Sequence, residues 1–293
     1  MQLISILIDV VAPVFLVALV GYVWSRRGAP FDPGFVSLLV TAVGTPCLVI
    51  DSLSTSGLKV SALGAMALAS LASHGCSLVA GYGFTRAMRQ PVAVYTPALA
   101  FPNVGNMGLP LGLFAFGEAG LALSIGYYAV GSLLQFSIGQ SLAAGKWDIV
   151  ALLRMPLLWA VAAGLGLAVT GTQLPGVFSR ALHIMGGLMV PLMLLSLGHS
   201  LARLKLASLR RGIIFSLARL LGGFAIGWGV ATLLGLDGLE RGVVVTQSSM
   251  PSAVYNYMFA ERFNNRPEEV AGIVVISTLM SIALIPIFLS TVM

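Results

Sequence analysis

Charge is scarce in this chain. Asp, Glu, Lys and Arg make up 9% of its 293 residues, against about 25% in a soluble globular domain, and the mean hydropathy is +0.97. No soluble domain, low-complexity tract or long polar loop interrupts the apolar segments, so the protein must work within or just beside a bilayer. Cysteine is nearly absent. Cys47 and Cys76 both lie in apolar segments, where they read as small packed residues and not as a disulfide. The three histidines, His74, His183 and His199, are too scattered for a metal site. There is no HExxH motif, and no second intramembrane acid to form a protease dyad with Asp51, so neither enzyme chemistry nor a cofactor is expected. The weak alternation of barrel strands of roughly 10 residues is also missing, which leaves helices as the spanning elements.

Ten apolar segments are present: 3–25, 34–55, 61–85, 93–115, 119–142, 154–172, 181–202, 210–235, 240–261 and 268–291. The expected class is an all-α polytopic membrane protein. The first segment lacks a basic leader and a small-residue cleavage site, so it reads as a span and not a signal peptide. The net charge of +6 reflects bases at segment ends, which set topology and do not point to nucleic acid. Twelve of the sixteen Lys and Arg fall in or beside the alternate loops "SRRGAPFDP", "TRAMRQP", "AGKWD", "RLKLASLRR" and "ERFNNRPEE". Only Lys59, Arg180 and Arg241 fall in the others, and Arg219 lies within a span. The positive-inside rule then places both termini on the outer side of the cell (inner) membrane.

The chain also repeats itself. Pro13 in "APVFLVALVG" matches Pro156 in "MPLLWAVAAG", Pro46 in "TPCLVIDSLS" matches Pro191 in "VPLMLLSLGHSL", and Pro102 in "AFPNVGN" matches Pro251 in "SSMPSAVYN". Glu118 matches Glu268 in the same order, and the offset drifts only from 143 to 150. A unit of five spans is odd, so its second copy enters the membrane from the opposite side. Residues 1–145 and 146–293 form the two halves of an inverted repeat, a signature of secondary transporters.

Two segments should break. Proline removes a backbone donor, glycine weakens a helix, and a freed polar group in lipid costs several kcal/mol unless something pairs with it. Span 4 has such a break near 102–108, in "AFPNVGNMGLPLG", and span 9 near 249–254, in "TQSSMPSAVYNY". Matching breaks in the two halves are the best sequence pointer to a transporter site, because half-helix N-termini offer N–H groups and positive dipole ends to an anion. The candidate binding residues are Asn103, Val104, Gly105, Asn106, Gln247, Ser249, Pro251, Ser252 and Asn256, with Pro102 and Pro251 as the crossover prolines. A pair of ordinary proline kinks is the plainer alternative.

Three further residues are coupling candidates. Asp51 either binds a proton or sodium, pairs with a cation, or reaches the outer interface beside "SLSTSG". His74 either relays protons or hydrogen-bonds within the core. Arg219 either snorkels along span 8 or neutralises a substrate carboxylate. Glu118 is expected to cap span 5. Tyr127, Tyr128, Gln135 and Gln140 cannot all face lipid, and Gly222, Gly223, Gly227 and Gly229 fit close helix packing.

Through "TPCLVIDSLS", "FPNVGNMGLPLG", "LMVPLMLLSLGHSL" and "SSMPSAVYNYMFAERFNNRPEE", the chain resembles the auxin efflux carrier family. That family includes the plant PIN-formed auxin exporters and bacterial carriers assigned to malonate or malate. The resemblance implies ten helices in a five-plus-five inverted repeat, with a scaffold and a transport part, similar to sodium/proton antiporters and bile acid transporters. Helices 4 and 9 would cross at their prolines, with Asn103 and Gly105 at one crossover and Pro251 and Ser252 at the other, and transport would follow an elevator motion. Two departures stand out. Only "AGKWD" remains where plant members often carry a long loop, and Asp51 stands where their helix 2 has a histidine, which weighs against auxin and toward cation coupling. The expected activity is secondary transport of small carboxylate anions, and the alternatives are a proton- or sodium-coupled symporter or a channel or sensor on the same scaffold. The expected partners are the anion and the bilayer, with a homodimer left open.

Overall fold

The computed structural model describes residues 10–55, 60–145, 154–203 and 208–293. The start of the first expected span and Lys59, Lys146 and Lys205 lie outside the described residues. Helix is the only extended regular structure among the described residues. Helix α1 spans Ala12–Arg26, α2 Pro33–Thr55 and α3 Val60–Ala87. Next come α4 (Val92–Ala100), α5 (104–116) and α6 (118–144). Then follow α7 (Pro156–Thr170), α8 (Gly176–Gly187), α9 (Met189–Arg203) and α10 (Leu209–Leu233). The last three are α11 (Gly238–Ser248), α12 (Val254–Arg262) and α13 (Pro267–Leu289).

Among the described residues, six continuous helical stretches are long and apolar enough to cross a membrane, and α1 and α7 are shorter apolar helices. Large side chains such as Val79, Trp159, Ile184 and Leu233 point outward, as lipid-facing residues do. Proline starts α1, α7 and α13, where its missing N–H would have no partner anyway. Glycines in the left-handed region, Gly145 and Gly171, end α6 and α7.

The expected fourth and fifth spans are not separated by a loop. Val104–Ala144 is one helical stretch turned at a single residue, Gly117, whose φ of 68° is open to glycine at little cost. The turn lies in the gap between the expected spans 93–115 and 119–142.

The helices pack as two groups. In one, α9 lies along α1, and both α7 and α8 lie against α2. A side chain at Gly198 or Gly21 would collide with the facing backbone of α1 or α9, so these two helices meet backbone to backbone. The other group contains α3–α6 and α10–α13. At its basic-loop end, Arg211 of α10 pairs with Glu269 of α13, which also accepts from the Tyr95 hydroxyl of α4 at 2.9 Å. Packing of α9 against Val104–Gly108 brings the two groups together beside the broken helices.

Candidate substrate site at the crossed helix breaks

Helix α4 stops at Ala100 because Pro102 cannot donate to the helical ladder, and Phe101 is extended (φ −108°, ψ 102°). Helix α11 stops at Ser248, before Pro251, and α12 resumes at Val254. The first break is tighter than the expected 102–108. It covers 101–103, and Val104–Gly108 already forms a π-helical turn. Gly108 serves close approach here, because a Cβ on it would collide with the Gln247 side chain.

The two breaks cross and pair with each other. Asn103 N–H donates to Pro251 O at 2.7 Å, Ala253 N–H donates to Phe101 O at 3.1 Å, and Pro102 faces Ser252 in an antiparallel bridge. Backbone groups that each proline frees in one segment are thus taken up by the other, which is how a non-helical backbone survives inside an apolar protein. Ser252 N–H adds a bond to Ser277 Oγ at 3.1 Å.

Several of the expected binding residues serve this crossing internally. Asn256 Nδ2 donates to Phe101 O at 3.0 Å and to Ser252 Oγ at 3.1 Å, and Asn256 Oδ1 accepts from Gln135 at 3.3 Å. Gln247 Nε2 donates to Gly108 O at 2.9 Å and to Ser124 Oγ at 2.8 Å. Ser249 Oγ bonds back to Val245 O at 2.6 Å. The buried Nδ2 of Asn103 has no partner, and neither does Gln247 Oε1. Gly105 and Asn106 are partly exposed, in the first turn of α5, where backbone N–H groups precede any intrahelical acceptor. Tyr255, in the first turn of α12, is also partly exposed.

Arg219 of α10 is 2% exposed and donates to two carbonyls, Leu99 O and Ser248 O. These are the C-terminal ends of α4 and α11. Its guanidinium neither snorkels to the surface nor faces an open cavity at the N-termini, but binds the two negative helix ends that the breaks create. Gly223 and Gly227 let α10 approach Ser248 closely, whereas Gly222 and Gly229 have open space around them. The Tyr127 hydroxyl shares a hydrogen bond with Ser248 Oγ at 2.9 Å. His74 lies next to this layer. Its Nδ1 is 2.8 Å from Ser70 O, and its ring is 5.5 Å from that of Tyr127.

Asp51 sits apart from the crossing. With Glu118, Arg180 and His183 it lines a cavity of about 840 Å³ between α2, α8 and the Gly117 turn. The Asp51 side chain is 13% exposed and lies 2.9 Å from His183 Nδ1, whose side chain is 79% exposed. A second cavity, of about 70 Å³, lies at the other end of α2 and is lined by Phe31, Asn106, Ser196, His199, Ser200 and Tyr255 among others. Nothing in the local sequence marks these cavities, because each draws on segments far apart in the chain. Among the described residues no cluster of His, Cys, Asp and Glu is placed to hold a metal ion.

A multi-helix apolar chain whose broken helices pair within its interior is of the polytopic membrane transporter class. A family model described as membrane transport protein matches residues 6–146 and 140–289. The chain belongs to that family, the auxin efflux carrier family. It is 27% identical over 293 residues to an uncharacterized transporter of Methanothermobacter thermautotrophicus, covering 96% of each chain. It is also 28% identical over 197 residues to an uncharacterized transporter of Methanocaldococcus jannaschii, covering 64% of each.

Proposed function

We propose that the protein is a secondary transporter of small organic carboxylate anions that works by elevator-type alternating access. The observation that carries this reading is the uneven treatment of the four helix ends at the crossing. Each end holds roughly half an elementary charge. Arg219 offsets the two negative ends, those of α4 and α11. The positive ends of α5 and α12 face partly exposed residues, and no carboxylate lines the cavity beside them. An anion is therefore favoured there, held by first-turn N–H groups and by Asn103 and Asn106.

The moving part is the group α3–α6 with α10–α13, which contains the whole crossing, and the scaffold is α1, α2 and α7–α9. Sliding of one against the other carries the crossing between the wide and the narrow cavity. Residues 1–145 and 146–293 supply the two inverted copies, ten spans in all, which interleave into both parts. The protein sits in the cell membrane with both termini outside, and a homodimer is compatible with this arrangement. A carboxylate leaving a cell gains about 2.3 kcal/mol per 100 mV of negative-inside potential, so export needs no partner ion while uptake does.

A second reading is proton- or sodium-coupled symport, favoured by Asp51 lining the wide cavity next to His183. Counterflow in proteoliposomes tests the main proposal. Labelled carboxylate should accumulate transiently against an unlabelled internal pool and saturate with concentration. Unsaturable ohmic current without counterflow would point to a channel instead.

A further inference from the structure

His199 on α9 is 2% exposed, yet neither ring nitrogen has a hydrogen-bond partner. Its ring stacks on Phe31 from the loop before α2, with centroids 4.2 Å apart and planes 24° from parallel. A buried imidazole with both nitrogens idle is unusual, because neutral histidine always carries one donor and one acceptor. The ring lines the narrow cavity with Ser196, Ser200, Asn106 and Tyr255, beside the first turn of α12. Hydroxyls, an amide, an imidazole and a positive helix end meet there, with no acid among the described lining residues. The cavity, of about 70 Å³, has room for a carboxylate head.

The wide cavity supplies an internal comparison. In the alignment of "TPCLVIDSLS" with "VPLMLLSLGHSL", Asp51 and Thr55 of the wide cavity correspond to Ser196 and Ser200 of the narrow one. Equivalent faces of α2 and α9 thus line cavities at opposite ends of the molecule. At the wide end the nearby histidine, His183, is already paired with Asp51. At the narrow end the acid is replaced by serine and His199 has no such partner.

We infer that His199 is the specificity-determining residue that receives the carboxylate of the transported anion at the basic-loop end of the path. The inference rests on the carboxylate reading above and adds a scaffold residue to it. With the crossing packed against α9, an anion held by the α5 and α12 N-termini shares the cavity with the imidazole, and the Phe31 ring keeps that imidazole in place.

The test uses the full chain in proteoliposomes of uniform orientation, with labelled acetate and succinate and half-saturation measured separately at each face. His199→Leu should raise half-saturation at the basic-loop face about tenfold, the size expected for a hydrogen bond to a charged group. His199→Gln, which keeps a donor, should raise it less, and both variants should leave the opposite face within about twofold. Should His199→Leu not fold, His199→Gln and Ser200→Ala carry the measurement. Unchanged half-saturation in the folded variants, or an equal shift at both faces, overturns the role of His199 while leaving carboxylate transport intact. Wild-type protein that carries neither anion overturns the carboxylate reading, and this inference with it.

Discussion

The two sides of the helix crossing are treated very differently. On the C-terminal side, Arg219 closes Leu99 O and Ser248 O, Tyr127 reaches Ser248, and Gln247 bridges to Gly108 and Ser124. On the N-terminal side, Asn103 keeps an idle amide, Asn106 and Tyr255 are partly exposed, and a small cavity adjoins both. Both sides come from the same prolines, so the difference lies in the side chains that the rest of the fold supplies. On the C-terminal side the freed carbonyls are closed, while Gln247 Oε1 and Arg219 Nε keep no partner, and that closure holds the structure together. On the N-terminal side no side chain of opposite charge closes the helix ends among the described residues, and those ends are available to a ligand.

The comparison can be broken most severely at Arg219. Arg219→Leu leaves two buried carbonyls unpaired and should cost about 2–5 kcal/mol of stability. Arg219→Lys, with one compact charge in place of a fork, should recover only part of it. Denaturation in mild detergent measures both, and a Leu variant as stable as wild type would show that the C-terminal side needs no cation. Next in size is Asn256→Leu, which removes the side-chain bonds to Phe101 O and Ser252 Oγ. A loss of about 1–3 kcal/mol is expected in the same assay.

The N-terminal side should respond in the opposite way. Asn106→Ala should leave stability within about 0.5 kcal/mol and weaken carboxylate binding severalfold, as read by titration calorimetry on purified protein. Asp51→Asn should also cost little stability, about 0–1 kcal/mol, because its partner His183 is largely exposed. Its value is functional. If Asp51 couples transport to a cation, the variant loses the pH or sodium dependence of uptake, and an unaltered dependence removes the coupling role.

The breaks themselves were legible in the sequence because proline acts locally. Pro102 and Pro251 announce a missing donor whatever surrounds them. What the breaks do with their freed groups was not legible, since Asn103 N–H finds Pro251 O half a chain away. The same holds for the amides. Asn103, Asn106, Gln247 and Asn256 share one chemistry, and only the fold commits Gln247 and Asn256 to internal partners. Arg219 offered two plausible readings within its own helix, and its actual partners belong to two other helices. His183 and Asp51 are separated by 132 positions, so their pairing left no trace in either segment. The turn at Gly117 falls in the gap between the expected spans 93–115 and 119–142, so its place was legible although its one-residue form was not.

The central claim is that the unclosed side of the crossing holds a carboxylate, and thermal unfolding of the purified protein with matched ions of opposite sign tests it most directly. Acetate and succinate should raise the melting temperature saturably, with a stabilisation of about 2.7 kcal/mol at a hundredfold excess over Kd. Methylammonium and diaminobutane should not, and Asn106→Ala should lose most of the carboxylate effect. Stabilisation by the amines, or a carboxylate effect of full size in Asn106→Ala, would contradict the account.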